Sequence, residues 1–275
     1  MSSKIKVAII TGGASGIGLA VGEALVARGD WNVFLLDRDS DRGNTAAKKI
    51  GATFAKADVT DYTSLAGAFK IAFQAHQRVD FVFANAGIAL APPDAPAVNG
   101  AADFDAPPEP NTSLIDINLK GTILTSQLAL HYLGKSSREF SPGSLIITAS
   151  SAGFYLSQVS PAYSASKHGV VGWARSIAPA AWRENKARIN AICPGIVRTN
   201  ILPDAVYQMF PNSMLTPVSK VTEVVLLLLD NESVNGGPAR GQTVEICGAN
   251  HYFREQIEYC DATMQALMGA GAPAE

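Results

Sequence analysis

Ile5-Lys6-Val7-Ala8-Ile9-Ile10-Thr11-Gly12-Gly13-Ala14-Ser15-Gly16-Ile17-Gly18 is the stretch on which the reading of this chain turns. Its first half is a short apolar run rich in β-branched residues, the composition of a strand. Its second half is a glycine-rich turn. Beyond it Leu19, Val21, Ala24, Leu25 and Ala27 keep a helical pattern that stops at Gly29. Trp31-Asn32-Val33-Phe34-Leu35-Leu36-Asp37 then reads as a second strand. Strand, turn, helix and strand make one βαβ unit. In such a unit Gly12 permits the tight exit from the strand, Gly16 leaves room for a pyrophosphate, and Gly18 lets the helix pack close to the sheet. The helix start, with Ser15 and Ile17 beside it, faces a phosphate with unpaired N–H groups and a partial positive charge. A glycine pattern alone is weak; one lying between a strand and a helix is strong.

The same alternation continues outward. Thr53–Ala57 reads as a strand, Ser64–Gln77 as a helix and Val79–Ala84 as a strand. Asn111–Leu133 reads as a long helix, followed by a strand at Ser144–Ala149. Then come a helix at Tyr163–Ala181, a strand at Arg188–Ile192, a helix interior at Glu223–Leu229 and a last strand at Gln242–Ile246. Continuous apolar strands alternating with helices imply an α/β fold: a single-domain Rossmann fold with a doubly wound parallel sheet of about seven strands and helices on both faces. Residues 1–250 form that domain, and 251–275 a C-terminal helical extension and tail. Phe253, Ile257, Cys260, Met264 and Leu267 stand at helical spacing there. They suit a lid, a subunit interface or packing on the same subunit. Two stretches interrupt the rhythm and read as loops: Ile88–Asn111, and a substrate loop at 199–222 with Pro203, Pro211 and Pro217.

Composition narrows the function. A charged fraction of 17% with a net charge of −2 offers no footprint for nucleic acid. The longest aliphatic run, Val224–Leu229, is too short for a membrane span. Cys193, Cys247 and Cys260 are widely spaced and form no zinc-like cluster, and the histidines lack acidic or cysteine companions, so no metal is expected. The cysteines read as buried small residues. A small-molecule partner and a cytoplasmic setting fit, because no targeting segment precedes the first strand.

Asp37 ends the second strand about 20 residues beyond the glycines, where an acid holds the adenosine ribose hydroxyls and repels a 2′-phosphate. That favours NAD over NADP, although the adjoining Arg38 could meet a phosphate. Tyr163 and Lys167 lie four apart and share one helix face. An ammonium near a phenol lowers its pKa, and a phenol tuned toward working pH can exchange a proton with an alcohol oxygen. Ser150, at the end of the preceding strand, would steer that oxygen toward Tyr163.

Thr11-Gly12-Gly13-x-x-Gly16-Ile17-Gly18, Asn85-Ala86-Gly87, Asn118, Ser150, Tyr163-x-x-x-Lys167 and Pro194-Gly195 together resemble the classical short-chain dehydrogenase/reductase family. The resemblance covers roughly residues 5–248, with the motifs in the family's order. Ser164–Gly172 and Asn190–Gly195 are similar, more narrowly, to its NAD-linked 15-hydroxyprostaglandin dehydrogenase group. The resemblance implies that Tyr163 is the general acid/base, that Lys167 bonds the nicotinamide ribose and lowers the Tyr163 pKa, and that Ser150 orients the substrate oxygen. It gives Asn118 the place of the residue that bends its helix and holds a water linking Lys167 to solvent. Asp58 and Val59 would meet the adenine. Asn85, Ala86 and Gly87 would steady the central strand and flank the cofactor. Pro194, Gly195, Val197 and Thr199 would seat the nicotinamide amide, and Ile17 the ribose and phosphate side. Phe154, Tyr155 and Gln158 fall where relatives line the substrate pocket. Ala84 stands where the family has an asparagine.

The expected function is therefore NAD(H)-dependent interconversion of a secondary alcohol and a ketone on a bulky, largely apolar molecule, by a homodimer or homotetramer. The same fold also serves dehydratases, epimerases, cyclases and cofactor-sensing binding proteins.

Overall fold

The computed structural model describes residues 5–89, 109–136, 142–158, 160–230 and 239–269. Most of the expected loop at 88–111, and the tail beyond 269, lie outside them. Eight strands form one sheet: β1 (Lys6–Thr11), β2 (Trp31–Asp37), β3 (Thr53–Lys56), β4 (Phe81–Ala84), β5 (Gly143–Thr148), β6 (Ala187–Pro194), β7 (Thr243–Cys247) and β8 (Asn250–Phe253). Their order is β3-β2-β1-β4-β5-β6-β7-β8, and every pairing is parallel except β7–β8. The chain winds to one side of β1 and then to the other. That reversal leaves a crevice at the carboxyl ends of β1 and β4, the place where sheets of this kind bind ligands.

Helices α1 (Gly16–Ala27), α2 (Ser40–Ile50) and α7 (Val218–Leu229) cover one face. Helices α3 (Tyr62–His76), α4 (Gly121–Lys135) and α5 (Pro161–Asn185) cover the other. Strand β4 shows the division at single-residue resolution. Phe81 and Phe83 enter the first core layer and Val82 and Ala84 the second, as the two-residue period of a strand requires. Ala84 thus fills a buried apolar position. Burying each large side chain contributes about 1.5–3 kcal/mol.

Three features differ from the expectation. First, the sheet has an eighth, antiparallel strand, joined to β7 by the two-residue turn Gly248-Ala249 with Gly248 at φ +56°. Phe253 therefore belongs to a strand and not to a helix; among the described residues of the C-terminal segment only Ala262–Gly269 (α8) is helical. Second, the 111–133 helix contains a π-helical stretch at Ile115–Lys120. Third, Cys193 is buried but Cys247 and Cys260 are exposed. A small four-residue helix, α6 (Asp204–Tyr207), and the parallel bridge Val197–Thr216 shape the segment expected as a loop at 199–222, which is shorter than expected because α7 already begins at Val218. No helix among the described residues is long and apolar enough to cross a membrane.

Buried Arg188 at the start of β6 had no sequence signal. Its guanidinium donates to the Leu228, Leu229 and Ala239 carbonyls (2.8, 2.8 and 3.5 Å), satisfying the carboxyl end of α7 with positive charge.

Candidate active site

A cleft of about 580 Å³ opens at the carboxyl ends of the central strands. Its floor is the glycine turn. Gly12 and Gly16 take positive φ (+63° and +54°), a conformation costly for residues with a Cβ. A methyl group on Gly18 would collide with the Gly12 carbonyl oxygen and the Asn85 amide, and one on Gly16 would press on Thr199 across the cleft. Ser15 occupies the N-cap of α1 in extended backbone, yet its side chain makes no capping bond. Both the hydroxyl and the helix's first N–H groups are therefore open to a ligand in the cleft.

Asp37 stands at the cleft's outer rim. Its Oδ2 accepts from the Ala14 N–H and its Oδ1 from the Asp39 N–H (3.1 Å each), which fixes the carboxylate against the glycine turn. Arg38 and Arg42 share that rim. A smaller adjoining cavity, about 100 Å³, is lined by Asp58, Val59 and Ile117. Asp58 accepts from the Thr60 N–H and Oγ (2.9 and 2.7 Å), which holds its carboxyl below the usual range. Asn85 ties three strand ends together. Its Nδ2 donates to the Thr11 carbonyl (3.3 Å), and its Oδ1 accepts from Thr148 Oγ (3.1 Å). Ala86 and Gly87 follow it along the cleft wall, with Ile17 facing them from α1.

Opposite lie Pro194, Gly195, Val197 and Thr199. Gly195 N–H donates to the Ile246 carbonyl (2.8 Å), and the Thr199 N–H donates to the Tyr207 hydroxyl (3.2 Å). Tyr207 is fully buried, with Arg198 stacked on its ring. Sequence reading missed Tyr207 because an aromatic in a loop carries no positional signal. Asn200, Ile201 and Leu202, which fall within the expected substrate loop but were not singled out, line the cleft directly.

At the inner end Ser150, Tyr163 and Lys167 converge. Ser150 Oγ accepts from the Ala152 N–H (3.2 Å) and lies 3.5 Å from the Pro194 carbonyl. Lys167 Nζ donates to the Thr148 carbonyl (3.0 Å) and sits 5.8 Å from the centre of the Tyr163 ring. Burial pushes the Tyr163 phenol up, and the opposing influence is its hydrogen bond with Ser150. The ammonium is turned toward Thr148, and its own burial lowers its pKa to about 8. Cys193, packed beneath, is pushed up to about 12 by burial and stays a neutral thiol.

Asn118 stands in the π-helical stretch. Its side chain pairs with the Ile88 backbone as a neighbouring strand would, accepting from N–H and donating to C=O (2.9 Å each), and its Nδ2 also lies 3.2 Å from Ser166 Oγ. The Asn118 carbonyl accepts from Thr122 Oγ (2.6 Å), the first of three such bonds with Thr125 and Ser126. Hydroxyls bonded four residues back bend helices, so Thr122, Thr125 and Ser126 were the available sign of this irregularity.

Phe154, Tyr155 and Gln158 do not line the cleft. The Phe154 ring lies between the Arg175 and Arg254 guanidiniums, 5.7 Å from each. Tyr155 donates to Glu245 Oε2 (3.1 Å), and Gln158 is exposed. Cation–π attraction and a charged acceptor on β7 turn this segment outward. Ser157 is its member that reaches the cleft.

The model of the short chain dehydrogenase family matches residues 6–208. This chain belongs to that family, whose members are oxidoreductases that bind a nicotinamide cofactor. It is 41% identical over 274 residues to short-chain dehydrogenase/reductase prx7 of Penicillium rubens, a match spanning 92% of this chain and 95% of the relative. It is 34% identical to human 3-hydroxyacyl-CoA dehydrogenase type-2, across 86% of this chain and 93% of that one. Among solved structures, levodione reductase superposes with a TM-score of 0.72 at 26% identity, covering 89% of this chain and 97% of that one.

Proposed function

We propose that this chain is an NAD(H)-dependent dehydrogenase/reductase interconverting a secondary alcohol and a ketone on a bulky, largely apolar small molecule. The observation that carries the reading is one continuous cleft with a half-buried phenol between a hydroxyl and an ammonium at one end and a fixed carboxylate at the other. The chain's residues fit the cofactor. The open Ser15 hydroxyl and the turn at Gly12, Gly16 and Gly18 would hold the diphosphate, with Ile17 alongside. Asp37 would take the adenosine ribose, and Asp58 and Val59 the adenine. Asn85, Ala86, Gly87, Pro194, Gly195, Val197 and Thr199 would border the nicotinamide half, and Lys167 its ribose. When bound, the nicotinamide supplies hydride exchange with the substrate carbon.

The chain's residues handle the oxygen. Ser150 donates a hydrogen bond that holds it, and Tyr163 gives it a proton in reduction or takes one in oxidation. Lys167 stays cationic below pH 8 and stabilises negative charge as it develops on the phenol oxygen. Asn118 acts at one remove: by pinning Ile88 and approaching Ser166 it fixes the wall behind Lys167. Ile88, Ile196, Ile201 and Leu202 supply an apolar lining that suits a large carbon skeleton. The names of the levodione and 3-hydroxyacyl-CoA relatives point to the same alcohol–ketone pair.

The test is nicotinamide absorbance with a panel of secondary alcohols and ketones. Turnover with NAD is expected, and equal turnover with NADP would overturn the cofactor assignment. Full activity in Tyr163→Phe would overturn the proton relay.

A further inference from the structure

Strand β8 carries the chain away from the cleft. Because it runs antiparallel to β7, the chain leaves the sheet at the opposite end, where the Arg254 N–H donates to the Thr243 carbonyl (2.8 Å). From Arg254 to Gly269 every residue is exposed, including Ile257 (88%), Leu267 (65%) and Met268 (66%). Helix α8 has only eight residues and no buried one. An isolated helix of that length is not stable in water, so its apolar residues require a partner surface.

The arm leaves beside a second cavity, about 720 Å³, between α5 and the β7–β8 edge. Arg175, Trp182, Arg183, Lys186, Arg240 and Arg254 line it, with Glu255 as its one acid among the described residues. Arg175 is occupied by Thr243 and the Arg254 and Glu255 carbonyls, and Arg254 by Glu245. Arg183, Lys186 and Arg240 have no carboxylate partner among the described residues. Lys186 and Arg240 both converge on the Trp182 ring, 5.6 and 5.0 Å from its centre. Two cations on one indole repel each other, and an anion placed between them relieves the repulsion. The arm has the opposite charge: residues 255–275 contain Glu255, Glu258, Asp261 and Glu275 and no Lys or Arg.

We propose that residues 257–269 are an exchange arm that docks, in a second copy of this chain, into the cationic groove beside Trp182. The arm starts on the groove's own wall, since Glu255 and Gln256 line it. Yet residues 257–269 stay exposed and none of them enters that groove, so in this subunit the groove and the arm are both left for a second copy, and a two-fold arrangement would let two chains exchange arms. Acidic residues meet the unpaired cations, and Ile257, Tyr259 and Met264 cover the faces of Trp182 and Pro179.

Chemical crosslinking tests this on the full chain. The exposed Cys260 of the arm is kept, Cys247 is changed to Ser, and Arg183→Cys puts a second thiol in the groove. A short bis-maleimide is expected to give a covalent dimer on a denaturing gel, and none in the same chain without Arg183→Cys. A crosslink within one chain, or none, overturns the proposal. Deleting 257–275 is expected to weaken self-association at least tenfold in sedimentation velocity. Arg183→Glu with Arg240→Glu should do the same and the corresponding Lys pair should not. Unchanged association after the deletion also overturns the proposal.

Discussion

Two segments face each other across the cleft, and they work by different physics. On one side the turn at 11–18 offers almost no side chains. Gly12 and Gly16 take backbone angles that a Cβ makes costly, and Gly18 lies against the Gly12 carbonyl. On the other side the segment after Ser150 carries large side chains that turn away: Phe154 into two guanidiniums and Tyr155 onto Glu245. Backbone-made recognition is local, so a short sequence specifies it. Side-chain placement depends on what stands opposite, and here the opposing groups come from α5 (Arg175), β7 (Glu245) and the end of β8 (Arg254), the last two about a hundred residues later in the chain.

Substitutions can sharpen or break this contrast. Tyr163→Phe should have the largest effect, a loss of roughly 10²–10⁴ in turnover with cofactor affinity nearly unchanged, measured by steady-state kinetics and cofactor titration. Lys167 gives the next. Its pKa falls from 10.5 in the unfolded chain to about 8 when folded, so the unfolded state binds more protons between those values and stability rises with pH across that window. Denaturation of wild type and Lys167→Met between pH 7 and 10.5 should show the wild type gaining about 3 kcal/mol relative to the variant, at about 1.4 kcal/mol per pH unit. A difference that stays flat with pH would mean that the buried ammonium is not paying a desolvation cost.

Asp37→Ala should shift the NAD-over-NADP preference in kcat/KM by roughly tenfold, about 1.4 kcal/mol, because the repelling carboxylate is lost while Arg38 and Arg42 remain. Phe154→Ala should have the smallest effect on the cleft. Its KM is expected within about twofold of wild type, while stability falls by about 1–3 kcal/mol through lost packing and cation–π contact. A tenfold rise in KM with unchanged stability would return Phe154 to the substrate wall and erase the contrast between the two sides.

Legibility followed the same division. The βαβ start, the Tyr163–Lys167 spacing and Asp37 at its strand end were readable because each is a matter of local period and spacing. The eighth strand was marked only by the Gly248-Ala249 turn, and the apolar spacing of Phe253, Ile257 and Cys260 imitated a helix. The π-helical stretch was signalled only by hydroxyl residues in mid-helix, which many straight helices also carry.

By itself the sequence determined a parallel α/β sheet, the place of its crevice and the Tyr163–Lys167 pair at its inner end, since strand period, glycine backbone freedom and the four-residue helical repeat are local properties. Only the tertiary structure decided that Lys167 turns to the Thr148 carbonyl, that Asn118 pairs with Ile88, and that Tyr207 holds Thr199 at the cleft. Each of these depends on a polar group finding its partner once water is excluded, and the partners lie 8 to 30 residues away along the chain. Burial therefore assigned those partners, which no local spacing could do.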